Sequence, residues 1–297
     1  MVGHALRALI PEATFVSSKD CDLRNKGQTE GLFQDTQPSQ VIHLAAKVGG
    51  IKANMEKMGD FYYENILINT NVLQAAKASG VEKVLSLMST CVYPDKIQYP
   101  LKEKEIHLGE PHSSNFAYAY AKRMLDIQSR SYRKQYGCNF ITAIPNNLFG
   151  ENDNYHVEDA HVIPALMHKI LLAKQNNTSV ELWGDGSALR EFTYAHDLGR
   201  IILFLLERYD SPDPINIGST YEYSIKEVAE MISSYIGYEG EIMWNTDMPM
   251  GQFRKPSDSA KLDTLGWSQS DYTSFSTALQ NSCEWFLKNY PNVRGVK

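Results

Sequence analysis

The sequence contains little of what marks several common protein classes. Its longest uninterrupted apolar run is about six residues, Ile201–Leu206, far short of the roughly 20 needed to span a bilayer. Basic residues are not in excess, since the formal net charge is -6, which argues against a nucleic-acid binder held by general charge. Internal repeats and low-complexity segments are also lacking. We therefore expect neither a membrane nor a nucleic acid as partner.

Cysteine is scarce as well, and its spacing argues against a further set of proteins. The cysteines form no Cys-x-x-Cys pair and are scattered at Cys21, Cys91, Cys138 and Cys283. Free thiols are typical of a reducing compartment, whereas a disulfide framework or a zinc site needs paired spacing. We expect a cytoplasmic protein without a bound metal.

What the chain does contain is an alternation of apolar strands and helices. Its 297 residues, 43% of them apolar, suffice for a sizeable core in one large or two closely joined units. Predicted strands at 40–46 and 81–90 flank a helix that ends at Gly80, and a longer helix ends at Gly137. Apolar strands separated by helices indicate a parallel sheet covered on both faces. The pattern predicts an α/β fold with a Rossmann-type doubly wound parallel sheet.

The character of the sequence changes after Gly150, where polar segments and short elements predict a smaller α+β domain. Ser224 and Glu227 have the spacing of a capping box at the start of one of its helices. We expect this domain to lie over the carboxyl ends of the strands, where ligands bind in open α/β sheets. The predicted boundaries are 1–150 and 190–215 for the cofactor-binding Rossmann domain, and 151–189 and 216–297 for the substrate domain.

The first candidate for chemistry is a Tyr-x-x-x-Lys pair, Tyr118 and Lys122, one helical turn apart on the same face. Tyrosine is a poor acid-base group at neutral pH, but a nearby ammonium favours the phenolate. The pair alone is a weak signal, because about one such match is expected by chance in a chain of this composition. The alternative interpretation is an aromatic residue on the core face of a helix and a lysine in solvent. Ser89 makes it specific, since it ends a predicted strand about 30 residues earlier.

These residues together resemble the extended short-chain dehydrogenase/reductase superfamily, whose Rossmann fold binds NAD(P) across the same strand ends. Within it, the chain resembles the GDP-L-fucose synthases, the 3,5-epimerase/4-reductase family that acts on GDP-4-keto-6-deoxy-mannose. The resemblance spans nearly the whole chain in the family's order. It is carried by the segments HLAAKVGGI, STCVYP, SSNFAYAYAKRM, PNNLFG, DAHVIPALMHK, VELWGDGSALREF and GQFRK.

The resemblance implies catalytic roles for five residues, Ser89, Cys91, Tyr118, Lys122 and His161. Cys91 would be the base and His161 the acid of the epimerisation, on opposite sides of the sugar ring, because the 4-keto group acidifies the C3 and C5 protons. Tyr118 would then supply a proton as NADPH reduces C4. Outside such a motif, a free cysteine is more often a small buried hydrophobe, and a lone histidine more often structural.

For the cofactor, Ser17, Ser18 and Lys19 stand where NAD-preferring proteins place a carboxylate. Hydroxyls and a cation suit a 2′-phosphate, so we expect NADP(H), although Asp20 would favour NAD if it held the ribose. The family usually has threonine where this chain has Asn146. The cofactor site that the resemblance implies comprises Gly3, Lys19, Asp22, Leu23, Met88, Ser89, Thr90, Lys122, Pro145, Asn146, Asn147, Leu148 and His161.

For the substrate, a cation, an aromatic face and a guanidinium are groups that a guanosine diphosphate requires. The resemblance assigns the GDP-sugar to Lys169, Trp183, Arg190, Arg254 and Lys255; the alternative for each is an ordinary surface or packing residue. Met250-Gly251 replaces the family's Asp-Gly, which puts one sugar or ribose contact in doubt. The resemblance also implies a homodimer formed by the helix near 61–78 and the helix of Tyr118.

The first residues raise a question about the beginning of the chain. The residues after Gly3 have the pattern of a helix, and residues 13–20 have the pattern of a strand. Gly3 matches the last glycine of the family's Gly-x-x-Gly-x-x-Gly loop. We therefore expect Met1 to be an internal methionine of a longer protein, and a gap in the sheet where a central first strand is lacking.

Two alternatives to a GDP-L-fucose synthase stay open. The first is a GDP-mannose 3,5-epimerase-like enzyme, which shares the cysteine motif but ends without net reduction. The second is a non-catalytic NADP-binding relative that an N-terminal truncation has inactivated.

Overall fold

The computed structural model describes residues 1–248 and 253–296, in which helices and strands alternate. The helices are α1 (Val2–Leu9), α2 (Lys26–Thr36), α3 (Ile51–Glu56), α4 (Met58–Ala78), α5 (Phe116–Tyr136), α6 (Val162–Asn176), α7 (Ala195–Arg208), α8 (Ile225–Ile236), α9 (Ala260–Leu265) and α10 (Phe275–Asn289). The strands are β1 (Gln40–His43), β2 (Lys83–Leu87), β3 (Asn139–Pro145), β4 (Asn147–Phe149), β5 (Val180–Trp183), β6 (Leu189–Tyr194), β7 (Ile215–Ile217), β8 (Glu222–Ser224) and β9 (Ile242–Asn245).

Four parallel strands form the main sheet in the order β1-β2-β3-β7. Strand β2 is buried along its whole length because helices cover both of its faces. Leu125 of α5 packs with Val84 on one face, whereas Leu6 of α1 and Ile201 of α7 pack with Leu85 on the other. Successive residues of β2 therefore face different helix layers, which confirms the doubly wound α/β fold.

A second region is built around α6, α8 and α10, whose apolar faces share one core. It contains the parallel pair β5-β9 and the sheet β4-β6-β8. The predicted capping box is present, because Ser224 Oγ accepts the Glu227 N–H at 3.1 Å and the Glu227 carboxylate accepts the Ser224 N–H at 2.7 Å. Strand β7 crosses the predicted 215/216 boundary, and Leu262 of α9 packs in the main-sheet core. The division into two domains therefore stays a prediction.

The residues ahead of β1 differ from the sequence-based expectation. Residues 13–20 form no strand, because no neighbouring strand lies beside them in the described part of the chain. The expectation of a gap in the main sheet is also wrong, since its four strands are contiguous and β1 forms one edge. Gly3 lies in α1, where an added Cβ would meet nothing within 4 Å, so it makes no close strand contact. Helix α1 packs on α7 instead, through Ala5 and Leu6.

Candidate active site

The carboxyl end of β2 leads into the turn that carries Ser89 and Cys91. Ser89 is extended, and its Oγ accepts the backbone N–H of Cys91 at 3.5 Å, which starts a short 3-10 turn. Arg123 of α5 is buried and donates from Nε to the Val92 carbonyl at 2.6 Å. This bond fixes the turn against the helix that carries the Tyr-x-x-x-Lys pair, so the strand-end residues and that pair lie together.

Helix α5 brings Tyr118 and Lys122 to this turn. Lys122 is buried, and its Nζ donates to the Leu87 carbonyl at 2.8 Å. Burial lowers the pKa of Lys122 to about 8, and Cys91 acts in the opposite direction. Burial raises the pKa of Tyr118, and Cys91 raises it further. The Lys122 ammonium lies 6.0 Å from the ring centroid of Tyr118, and the expectation that it favours the phenolate stays a prediction.

The thiol of Cys91 is subject to opposing influences. Burial raises the pKa of Cys91, whereas the Ser89 hydroxyl and the ammonium groups of Lys255 and Lys122 act in the opposite direction. Cations beside a thiol favour the reactive thiolate. Lys255, which was expected beside the diphosphate, therefore lies near enough to this thiol to influence its chemistry.

His161 is the N-cap residue of α6 and is exposed. The carboxylate of Asp153 is buried and close enough to His161 for their charges to interact. Burial raises the pKa of Asp153, and the histidine acts in the opposite direction. Sequence reasoning missed Asp153, because a single carboxylate in a polar loop carries no motif.

His43, at the end of β1, was also missed. Its Nε2 lies 3.0 Å from Oδ1 of Asn69, whose Nδ2 donates to the Ala121 carbonyl at 3.1 Å. Burial, together with the charge of Lys122, lowers the pKa of His43 to about 4. The imidazole is therefore neutral at pH 7 beside the lysine. The available signal was a histidine inside an otherwise apolar strand.

The segment expected to bind the 2′-phosphate is an exposed turn. Ser17 donates its N–H and its hydroxyl to the Asp20 carboxylate at 2.9 and 2.6 Å, which engages that acid within the turn. Lys19 is exposed beside it. Hydroxyls and an ammonium fit the 2′-phosphate of NADP(H) by their chemistry. Further along, Asp22 pairs with Arg24 at 2.8 Å.

The other expected cofactor residues lie mostly along the carboxyl ends of β2 and β3. Asn146 is buried between β3 and β4, and its Nδ2 donates to the Ser219 carbonyl at 2.7 Å. Asn147 donates from Nδ2 to the backbone carbonyl of Glu191 at 2.9 Å. Leu23 packs against the main core, whereas Gly3 lies apart in α1. Met88, Thr90 and Pro145 also lie at these strand ends, whereas Leu148 lies in β4.

The expected substrate residues have several different environments. The Lys169 ammonium lies 5.2 Å from the ring centroid of Trp183, which is 44% exposed at the end of β5. Arg190 donates to two backbone carbonyls at 2.7 and 3.2 Å. Arg254 forms an ion pair with Glu222 on the surface. The structure therefore places one expected cation over the expected aromatic face.

Some expectations concern other parts of the chain. The Met250-Gly251 departure lies outside the described residues. In 1–248 and 253–296, no group of three or more His, Cys, Asp or Glu side chains is arranged to hold a metal ion. Over the same ranges, no helix combines the length and apolar character needed to cross a membrane.

The sequence and fold of this chain are similar to those of known proteins. Residues 4–218 match the profile of the family described as NAD dependent epimerase/dehydratase. A GDP-L-fucose synthase from Dictyostelium discoideum is 42% identical, over 99% of this chain and 94% of that protein. One from Escherichia coli (strain K12) is 33% identical, over 99% and 96%. The crystal structure of a Naegleria fowleri GDP-L-fucose synthetase bound to NADP has a TM-score of 0.93 at 38% identity, over 99% of this chain and 92% of that one.

The chain therefore belongs to the NAD dependent epimerase/dehydratase family. Within that family its similarity is to the GDP-L-fucose synthases, which confirms the resemblance seen in its motifs.

Proposed function

We propose that the chain is an NADPH-dependent GDP-L-fucose synthase, which converts GDP-4-keto-6-deoxy-D-mannose to GDP-L-fucose by 3,5-epimerisation and 4-keto reduction. The observation that carries the proposal is the group formed by Ser89, Cys91, Tyr118 and Lys122 at the end of β2. A reductase needs the tyrosine and lysine, whereas the thiol adds a group suited to epimerisation. The names of the relatives support the substrate, and the NADP-bound neighbour supports the cofactor.

In the epimerisation, Cys91 is the base and His161 the acid. The 4-keto group makes the C3 and C5 protons acidic enough for a thiolate to remove. His161 delivers a proton to the opposite face of the ring, and the buried carboxylate of Asp153 lies close enough to it for their charges to interact. Lys122 and Lys255 favour the thiolate of Cys91.

In the reduction, NADPH supplies a hydride to C4 when it is bound. Tyr118 donates a proton to the C4 oxygen, and the Ser89 hydroxyl hydrogen-bonds to the same oxygen. Lys122 holds the cofactor's ribose and stabilises the phenolate that remains after proton transfer. Lys19 with the hydroxyls of Ser17 and Ser18 holds the 2′-phosphate.

The substrate nucleotide is proposed to lie in the second region. Trp183 stacks on the guanine, and Lys169 and Arg190 bind the diphosphate. The predicted substrate domain, 151–189 and 216–297, supplies most of these contacts, and the predicted Rossmann domain holds the cofactor. The four free thiols support a cytoplasmic location.

A homodimer formed through α4 and α5 is the proposed assembly. An apolar groove between these helices is lined by Met58, Tyr62, Phe116, Tyr120 and Met124. Tyr62 and Phe116 are exposed, and an apolar patch of this kind suits pairing with a second copy. Tyr62→Asp should yield monomer in analytical ultracentrifugation. Leu108→Asp, at an exposed residue outside the groove, should stay dimeric.

An assay in D2O with GDP-4-keto-6-deoxy-mannose and NADPH tests the proposed reaction. Tyr118→Phe should abolish NADPH oxidation yet leave deuterium incorporation at C3 and C5 largely intact. Cys91→Ser should abolish incorporation while reduction persists. Equal loss of both activities in both variants would contradict this division.

The wild-type chain separates the proposal from its alternatives in the same assay. Deuterium incorporation without NADPH oxidation would indicate a 3,5-epimerase without net reduction. NADPH binding without either activity would indicate a non-catalytic relative.

A further inference from the structure

A buried carboxylate on β6 connects two parts of the candidate site that are far apart in sequence. Glu191 is 2% exposed. One of its oxygens accepts the Ser257 N–H at 2.9 Å, and the other accepts the Ser257 hydroxyl and, at 3.2 Å, an Nδ2–H of Asn146. A buried carboxylate costs free energy that only such bonds offset. An apolar residue at this position could pack but could not accept these hydrogen bonds. The bonds from Ser257 and Asn146 therefore explain why a carboxylate is tolerated here.

The Asn146 end of this connection is rigid. Its Oδ1 accepts the Thr193 hydroxyl at 2.6 Å, and its Nδ2 also donates to the Ser219 carbonyl. Gly218 closes the site, because an added Cβ would lie 2.6 Å from both Asn146 Oδ1 and Thr193 Oγ1. The amide therefore has one orientation, with its donors toward Glu191 and Ser219.

The other end is the segment Phe253–Asp258, which contains Lys255. The Leu189 N–H donates to the Phe253 carbonyl at 2.8 Å, and the Leu101 N–H donates to the Pro256 carbonyl at 2.8 Å. Ser257 is the residue of this segment that Glu191 holds by both backbone and side chain. Lys255 lies two residues before Ser257 in this segment, so the bonds that fix Ser257 also limit the movement of Lys255.

We propose that Glu191 is a positioning residue that joins the strand end at Asn146 to the segment Phe253–Asp258 and so holds Lys255 beside Cys91. This proposal rests on the proposed function, in which the Cys91 thiol is the base of the epimerisation. The cofactor side and the proton-transfer side of the site are then linked by one carboxylate. The Lys255 ammonium and the Cys91 thiol influence each other's pKa in the directions that proximity requires.

Glu191→Gln tests the link, because the new amide group brings N–H donors where Asn146 and Ser257 already donate. The readout is the rate of Cys91 alkylation by iodoacetamide across a pH series, measured on the full chain by mass spectrometry of the Cys91 peptide. With Lys255 displaced, the thiolate midpoint should rise by about one pH unit, which means about tenfold slower alkylation at pH 7. Glu207→Gln, which removes an exposed carboxylate, should leave the midpoint unchanged.

Lys255→Met separates positioning from a general loss of structure. This variant should raise the Cys91 midpoint by itself, and Glu191→Gln in the same background should raise it no further. An unchanged midpoint in Glu191→Gln overturns the proposal. Additive shifts in the double variant overturn it too, because they would show that the carboxylate acts by another route.

Ser257→Ala covers the case in which Glu191→Gln fails to fold. It removes one of the bonds to the carboxylate and should slow alkylation by about threefold; an unchanged rate would overturn the proposal. Ser259→Ala is the matched control, because that hydroxyl bonds to Asp263 on the surface. Alkylation needs neither substrate nor NADPH. A chain that shows these shifts but does not turn over GDP-4-keto-6-deoxy-mannose would refute the proposed function alone.

Discussion

The proposed cofactor side and the proposed substrate side of the candidate site are held in different ways. Tyr118 and Lys122 lie on a helix packed against a fully buried strand, and burial shifts the pKa of both. Lys169, Trp183 and Arg190 are half-buried or exposed and are held by contacts with one another or with backbone carbonyls. Acid-base groups need shelter from water to acquire shifted pKa values, whereas groups that bind a nucleotide must be reachable from solvent.

The largest expected effect is on the buried side. Lys122→Met removes the cation proposed to stabilise the phenolate of Tyr118, so kcat for NADPH oxidation should fall by about 10²- to 10⁴-fold. Lys122→Arg should restore part of the loss. In the wild type, the same kcat should fall as pH rises through about 8, where Lys122 loses its proton. If Lys122→Met left kcat unchanged but weakened NADPH binding, the lysine would serve only to bind the cofactor.

The buried side should also make stability depend on pH. An unfolded histidine titrates near 6.5 and the folded His43 near 4, so between these values only the unfolded chain binds the proton. The stabilisation is complete above pH 6.5 and is lost as pH falls toward 4, by at most about 3 kcal/mol. Urea unfolding at a series of pH values should show a flatter profile for His43→Gln. Identical slopes for the two proteins would contradict this account.

On the substrate side, single changes should have smaller effects. Trp183→Ala removes the ring over which Lys169 lies, so KM for the GDP-sugar should rise by about five- to tenfold with kcat nearly unchanged. Trp183→Phe retains an aromatic face and should lose less. Steady-state kinetics with saturating NADPH measure both constants. A fall in kcat as large as that of Lys122→Met would erase the distinction between the two sides.

The smallest effect is expected at the exposed ion pair. Arg254 is engaged by Glu222 on the surface, so Arg254→Gln should change KM by less than about threefold. Lys255→Met, one residue along, should instead impair proton exchange at C3 and C5. Comparable losses in the two variants would show that both cations act on the diphosphate.

Local signals in the sequence predicted much of the fold and the proposed cofactor side. Apolar strands, the glycine after α5 and the capping box at Ser224 need only neighbouring residues, and the structure contains them. The strand predicted at 13–20 failed because a strand also needs a partner that its own residues do not supply. Glu191 and His43 went unnoticed because their partners lie 66 and 26 residues away.

The packing of Gly218 against Asn146 and Thr193 has a consequence for how this chain can diverge from its relatives. A threonine in place of Asn146, usual in the family, carries its hydroxyl oxygen one bond closer to the backbone than the amide oxygen that accepts the Thr193 hydroxyl, so it would not reach that position. The Thr193 hydroxyl would then lose its acceptor in a buried place, at a cost of about 1–3 kcal/mol. We therefore expect the two positions to covary, so that homologues with threonine at the first carry an apolar residue at the second. Independent variation among aligned homologues would contradict this coupling.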